Sequence, residues 1–252
     1  MTKNILIVTH LPDWDQCRLS LLPSIDRFVP GSCVVVIDNS LNYQKISCND
    51  IPKFSNITCE LLSAAELLEN YCFVWSNKDT KIGYGWFRQQ LCKLSGWKIF
   101  EHDYVALDSE IKILRPLTQW PRKSRLGGNK FLAFTERCRE IFKIENNEHI
   151  VALPQVPWVF KPEILKDIFS EFTSSKAFYD WFVSNPYPSE FILYDLFEHK
   201  DHANTQLTLR PMESSRIQYI FDYPYSLDPD HYDFALIDRD SWKTANRARL
   251  TV

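Results

Sequence analysis

Residues 83–116 read GYGWFRQQLCKLSGWKIFEHDYVALDSEIKILRP, and this stretch sets the architecture. Between Trp86 and Leu94 the apolar residues Phe87, Leu91 and Leu94 recur at helical spacing, with Gln90 and Lys93 expected on another face. Gly96 is expected to end that helix. Tyr104-Val-Ala-Leu-Asp108 then forms a short apolar run of the kind found in buried parallel strands. The run stops on Asp108-Ser109-Glu110, and Arg115-Pro116 closes the segment soon after. Two carboxylates one residue apart at the end of a buried strand suit a hard divalent cation and the polyanion it carries. In open α/β sheets ligands bind at the carboxyl ends of strands, which is where this pair falls.

Upstream, Asn4 to Thr9 reads as a strand that Pro12 breaks, and Asp13 or Asp15 is placed to cap a helix over Cys17, Leu21, Leu22 and Ile25. Pro30-Gly31 turns the chain into Cys33 to Ile37, a second buried strand ending on Asp38-Asn39-Ser40. Strand, helix, strand in this order is a βαβ unit, which implies a parallel sheet with right-handed crossovers. Asp38 fits two roles, a contact to a ribose or base edge and a solvated turn, and the sequence leaves both open. A third strand is expected over Ile57 to Leu62, then a short helix that Ser63 and Glu66 cap reciprocally.

Downstream, a shorter strand is expected near Ile111 to Leu114. Residues 117 to 130 carry four Arg or Lys side chains and a Gly127-Gly128 pair. They are read as a basic surface loop, with closure over a bound diphosphate as the second reading. Phe131 to Phe134, His149 to Leu153, Ile217 to Phe221 and Phe234 to Ile237 are further strand candidates. Helices are expected over Pro162 to Phe172 and from Ser189, the cap of a segment holding Glu190, Phe191, Leu193, Tyr194 and Phe197. With no repeat and no low-complexity linker, residues 1–252 read as one α/β domain with a mostly parallel central sheet flanked by helices.

Composition narrows the function. Hydrophobic content of 45% and charged content of 24% are those of an ordinary globular protein, and a net charge of -3 gives no electrostatic basis for nucleic-acid binding. The seven cysteines are scattered with no CxxC pair, which favours free thiols in a reducing compartment over a disulfide frame or zinc site. No charged-then-apolar leader and no long apolar run is seen, so no transmembrane segment is expected and the location is read as cytoplasmic. Aromatic residues at 14%, eight of them Trp, suit either core packing or a sugar-binding cleft.

The six glycines form no GxGxxG and no GxxxxGK[ST], and GxSxG and HExxH are also missing. What remains is the DxE pair at a strand end. The pattern Trp86…Gln89-Gln90…Lys93-Leu94, followed by Asp103-Tyr-Val-Ala-Leu-Asp108-Ser-Glu110…Leu114-Arg-Pro116, resembles a poorly characterised group of glycosyltransferase-like proteins with the GT-A fold. In that group a GW…QQ…KL segment precedes an LDSD…RP segment. Pro188-Ser-Glu190-Phe…Tyr194 is similar to its SE(F/Y)…Y segment, and the N-terminal Ile-Val-Thr…Asp15…Leu-Pro-Ser-Ile to its opening strand and helix.

That resemblance implies a GT-A-like nucleotide-diphospho-sugar transferase fold, with residues 1–116 as the nucleotide-sugar half and 117–252 as the acceptor side. Asp108 and Glu110 then match the DxD motif, whose carboxylates hold Mn²⁺ or Mg²⁺ against the donor diphosphate. Glu110 departs from the pattern, keeping the charge but reaching one methylene further. Gln89, Gln90 and Lys93 match the QQ…K positions and are candidates to contact the donor, as is Asp38. Glu190 matches the SE segment and is the candidate to take the acceptor proton; a first-turn Glu also simply stabilises its helix. Trp158 and the Ser189-to-Tyr194 segment are expected to face a glycan or other hydroxyl acceptor. His231, with Asp230 and Asp233, is a weaker candidate for a third metal ligand, and the remaining histidines are read as surface or core. Two other functions fit the same features, a non-catalytic nucleotide-sugar or glycan binder and a metal-dependent nucleotidyltransferase.

Overall fold

A six-residue strand, β1 (Asn4–Thr9), occupies the centre of the main sheet, and five of its residues, Ile5, Leu6, Ile7, Val8 and Thr9, are buried. The structure is a computed structural model that describes residues 1–40, 46–72, 83–120, 123–126, 131–144, 152–155, 157–198, 200, 217–220, 230 and 232–246. From β1 the chain runs through α1 (Leu11–Gln16), a π turn (Cys17–Leu21) and α2 (Leu22–Phe28) into β2 (Cys33–Asp38). The π turn has a local cause. Pro23 has no N–H, and its ring would crowd the carbonyl four residues back, so the turn before it widens.

After β2 come β3 (Thr58–Ser63), α3 (Ala64–Leu67), α4 (Tyr84–Leu94), β4 (Tyr104–Asp108) and β5 (Ile111–Ile113). Ser63 and Glu66 form the expected capping box at the start of α3. A 3₁₀ turn, Ser95–Lys98, extends α4 beyond Gly96. Gly96 is needed for closeness: a Cβ there would stand 2.5 Å from the Tyr104 ring, which is fully buried. The second half holds β6 (Lys123–Leu126), α5 (Leu132–Phe142), β7 (Ala152–Gln155), β8 (Trp158–Phe160), α6 (Pro162–Ser170), α7 (Ser175–Ser184), α8 (Glu190–Glu198), β9 (Ile217–Ile220), β10 (Phe234–Ile237) and α9 (Arg239–Asn246).

The main sheet has the order β3-β2-β1-β4-β8, parallel except for the edge strand β8. This is the expected α/β architecture, a mostly parallel central sheet flanked by helices. Because side chains alternate along a strand, the two faces carry different cores. Leu6, Val8, Val35, Ile37 and Ala106 pack with α4, α6 and α8, whereas Ile5, Ile7, Val34, Val36, Val105 and Leu107 pack with Trp14, Cys17, Leu21 and Ile25 of the first helical stretch. A second sheet, β5-β10-β9, pairs β5 and β10 antiparallel and β9 and β10 parallel, and β6 pairs with β7.

Several expectations are corrected. Phe131 to Phe134 opens α5 and is no strand, because Phe134, Cys138 and Phe142 recur at helical spacing and are buried. Neither Asp13 nor Asp15 caps the first helix, which starts at Leu11 behind His10 with Pro12 in its first turn. Gln90 and Lys93 are buried at 1% and 3% exposure, since α4 is covered on that side by α8. Within residues 117–130, positions 123–126 form β6, and the Gly127-Gly128 pair lies outside the described residues, as does His231. No helix among the described residues is long and apolar enough to cross a membrane.

Candidate functional site

Strand register brings the candidate residues level. Asp108 pairs with Val8 and Asp38 with Thr9, so β1, β2 and β4 end together at the carboxyl edge. From β1 the chain passes to β2 on one side, and β4 flanks it on the other; this reversal is where open α/β sheets place their ligands. A cleft of about 610 Å³ opens there, within the size range of small-molecule sites. It is lined by Val8, Thr9, His10, Pro12 and Asp13 at and beyond the end of β1, Asn39 and Ser40 after β2, Gly83, Gly85, Trp86 and Gln89 from the start of α4, and Asp108, Ser109 and Glu110 at and beyond the end of β4.

Asp108 is fixed by α4. Lys93 Nζ donates to its Oδ1 at 2.7 Å and Gln89 Nε2 donates to the same oxygen at 3.1 Å. Lys93 also donates to Glu190 Oε1 at 3.1 Å, and Gln90 Oε1 accepts from the Glu190 backbone N–H at 3.0 Å. Helical spacing explains the arrangement: Gln89 and Lys93 are four apart and share a face, while Gln90 sits beside them toward α8. Burial alone would drive the Lys93 proton off. The carboxylates of Asp108 and Glu190 outweigh it and hold the ammonium above the usual lysine range. Burial raises the Glu190 carboxyl, with Lys93 pulling it down and Asp108 adding to the rise.

Glu110 is different. Burial, then the like charges of Asp108 and Asp13, push its carboxyl up to about 7, and Arg239 only partly offsets them. No hydrogen bond or ion pair reaches that carboxylate among the described residues. A carboxylate crowded by like charges is stabilised by a cation, so the donor chemistry of Asp108 and Glu110 fits a hard divalent ion. Among the described residues no group of three or more His, Cys, Asp or Glu side chains forms a complete metal cage. Mg²⁺-type sites commonly use one or two carboxylates and complete the shell with phosphate oxygens and water.

Other candidates are placed elsewhere. Asp38 is buried, its Oδ1 accepting from the Ser40 N–H and its Oδ2 from the Ile46 N–H, both at 2.9 Å. It holds the turn and is not on the cleft wall, so of its two readings the turn is the one observed. Its neighbour Asn39 lines the cleft instead. Asn39 Nδ2 donates to the Gly85 carbonyl at 2.9 Å, which orients the amide, and its buried Oδ1 has no partner among the described residues; the same holds for Thr9 Oγ1. Glu190, at 4% exposure, faces Lys93 and does not line the cleft. Trp158 is buried against Phe191, and Ser189 to Tyr194 are buried with it, so this segment builds core where an acceptor face was expected. Asp233 is ion-paired with Arg115.

Sequence reading gave Asp13 only a capping role and His10 only a place on the surface or in the core. His10 directly follows β1, and Asp13 lies one helical turn on, with His10 Nδ1 3.0 Å from Asp13 Oδ2. The signal was a His at a strand end with an Asp three residues later, the strand-end rule already applied to Asp108.

No protein-family model matches the chain, and no curated protein matches it. Among solved structures, mouse Xyloside xylosyltransferase 1 in its apo form is similar over 92% of this chain and 96% of its own, at 9% identity and a TM-score of 0.46. The apo structure of WbbM, a bifunctional glycosyltransferase, matches 92% of this chain at 11% identity and a TM-score of 0.48, and this chain spans 45% of its length. An active-site mutant of LgtC matches 77% of this chain and 70% of its own, at 14% identity and a TM-score of 0.40.

Proposed function

We propose that this chain is a GT-A-type glycosyltransferase that moves a sugar from a nucleotide-sugar donor to a hydroxyl acceptor, with Mn²⁺ or Mg²⁺ at Asp108 and Glu110. The observation that carries this reading is the Asp108/Glu110 pair at the sheet's switch point, facing a cleft of about 610 Å³ in which Glu110 is crowded by like charges. When bound, the cation would neutralise charge developing on the donor diphosphate as the sugar leaves.

The chain's own residues supply the rest. Lys93 and Gln89 hold Asp108 Oδ1, leaving its other oxygen for the ion. Glu190 and Gln90 keep Lys93 and the start of α8 in register, which makes Glu190 a positioning residue. The first turn of α4 borders the cleft through Gly83, Gly85 and Trp86, and the positive end of the helix dipole suits phosphate oxygens. Asn39 Oδ1 and Thr9 Oγ1 offer buried hydrogen-bonding partners for nucleoside or sugar N–H and O–H groups. Residues 1–116 supply this site, since every residue that lines the cleft falls within them.

The test is a thermal-shift screen of UDP-, GDP-, CMP- and dTDP-sugars, each with and without Mn²⁺. A donor at ~100 times its dissociation constant adds about 2.7 kcal/mol, a shift of a few degrees for a chain of this size. Stabilisation by one nucleotide class, present only with metal, is expected. Metal-independent stabilisation would remove the ion from the site, and no shift from any donor would remove the transferase reading.

A further inference from the structure

His10 stands on the wall of the same cleft as Asp108 and Glu110. Its side chain is 42% exposed, while Asp13 behind it is 10% exposed and held at its other oxygen by Arg239 of α9 at 3.3 Å. Nδ1 lies 3.0 Å from Asp13 Oδ2, so Asp13 engages that nitrogen and Nε2 is the ring nitrogen left for a substrate in the cleft. Base, orienting carboxylate and an anchor for that carboxylate are the parts of a general-base pair.

Resting on the transferase reading, we propose that His10, oriented by Asp13, takes the proton of the attacking hydroxyl in the sugar-transfer step. The alternatives along the cleft are accounted for. Asp108 is held by Lys93 and Gln89, Glu110 belongs with it at the cation position, and Asp13 is committed to His10 and Arg239. Glu190 is buried against Lys93 and does not line the cleft.

In the step, the acceptor O–H proton passes to Nε2 while the acceptor oxygen bonds to the anomeric carbon. The bond from that carbon to the diphosphate oxygen breaks, and the diphosphate leaves with the electron pair. The imidazolium that forms is stabilised by Asp13, and releases its proton to solvent. A single displacement of this kind inverts the anomeric configuration. The charged group facing the imidazole is Asp13 of α1, which Arg239 of α9 meets from its other side; Asp108 and Glu110 lie on the same cleft wall, and Asp238 acts on Glu110.

The experiment measures nucleoside diphosphate release from UDP-glucose, GDP-mannose and dTDP-glucose with Mn²⁺, water serving as the acceptor. Wild type, His10→Gln and Asp13→Asn are compared, with donor-induced thermal stabilisation measured in parallel. His10→Gln is expected to lower kcat by about 100-fold or more with donor stabilisation unchanged. Asp13→Asn is expected to lower kcat by roughly ten-fold with KM unchanged, because the base remains and only its orientation is lost. NMR before mutarotation should find the inverted sugar as the first product.

Wild-type kcat in His10→Gln overturns the proposal, as does a retained anomer. So does a loss confined to KM and donor stabilisation, which would make His10 a binding group. A wild type that neither binds nor turns over any donor brings down the transferase reading and this inference with it. A wild type that turns over donor beside an equally active His10→Gln overturns the inference alone.

Discussion

A lysine ammonium with 4% of its side chain exposed stays charged here because two carboxylates surround it. Removing one member of a buried ion pair strands the other. Lys93→Met is therefore expected to cost about 3–5 kcal/mol in urea unfolding, and adding Glu190→Gln to it should recover part of that loss. Asp38 gives a second expectation at this scale. Losing its two bonds to backbone N–H groups in Asp38→Ala should cost about 1–3 kcal/mol of stability, with donor affinity unchanged once the protein is folded. The sequence put Asp108 and Glu110 at a strand end, where the structure has them, since strand-end carboxylates follow from the apolar run that precedes them. It read Gln90 and Lys93 as donor contacts and Glu190 as the base for the acceptor, and did not foresee that the three meet one another. Their partners come from α8, distant in sequence from α4, and periodicity within one helix does not reveal what covers its polar side.

Elements were legible where their periodicity was local. β1, β2, β4 and the Ser63–Glu66 cap follow from short patterns. α7 was not foreseen, and Phe131 to Phe134 looked like a strand because four residues cannot separate a strand from the first turn of an apolar helix. The junction of α4 and β4 depends on close packing at Gly96. Gly96→Ala should cost about 1–3 kcal/mol, because the Tyr104 ring is fully buried and has little room to yield. The contact between α1 and α9 is electrostatic. Burial opposes ionisation of Asp13, yet His10 and then Arg239 hold its carboxyl below the usual range. A depressed folded-state value means stabilisation that is present above the unfolded value of about 3.9 and is lost as pH falls through the folded one. The stability gap between wild type and Asp13→Asn should therefore be about 1 kcal/mol near pH 7 and should close as pH falls through the lowered folded-state value. A gap that persisted in acid would show that Asp13 acts through packing.

At the scale of the whole molecule, the strand order β3-β2-β1-β4-β8 sets function by deciding which strand ends meet. The βαβ reading gave β1 beside β2, and sequence adjacency alone could not place β4 on the other side of β1 or β8 at the edge. That placement brings Thr9, Asn39 and Asp108 to one cleft and sets the His10–Asp13 pair on the same wall. The central claim is that Asp108 and Glu110 hold a divalent ion that makes donor binding possible. It is tested most directly by calorimetric titration of the donor class found by thermal shift, with Mn²⁺ and with chelator, into wild type and Asp108→Ala. Metal-dependent binding in wild type, lost in a folded Asp108→Ala, is the result this account predicts. Donor affinity unchanged by either chelator or the substitution would contradict it.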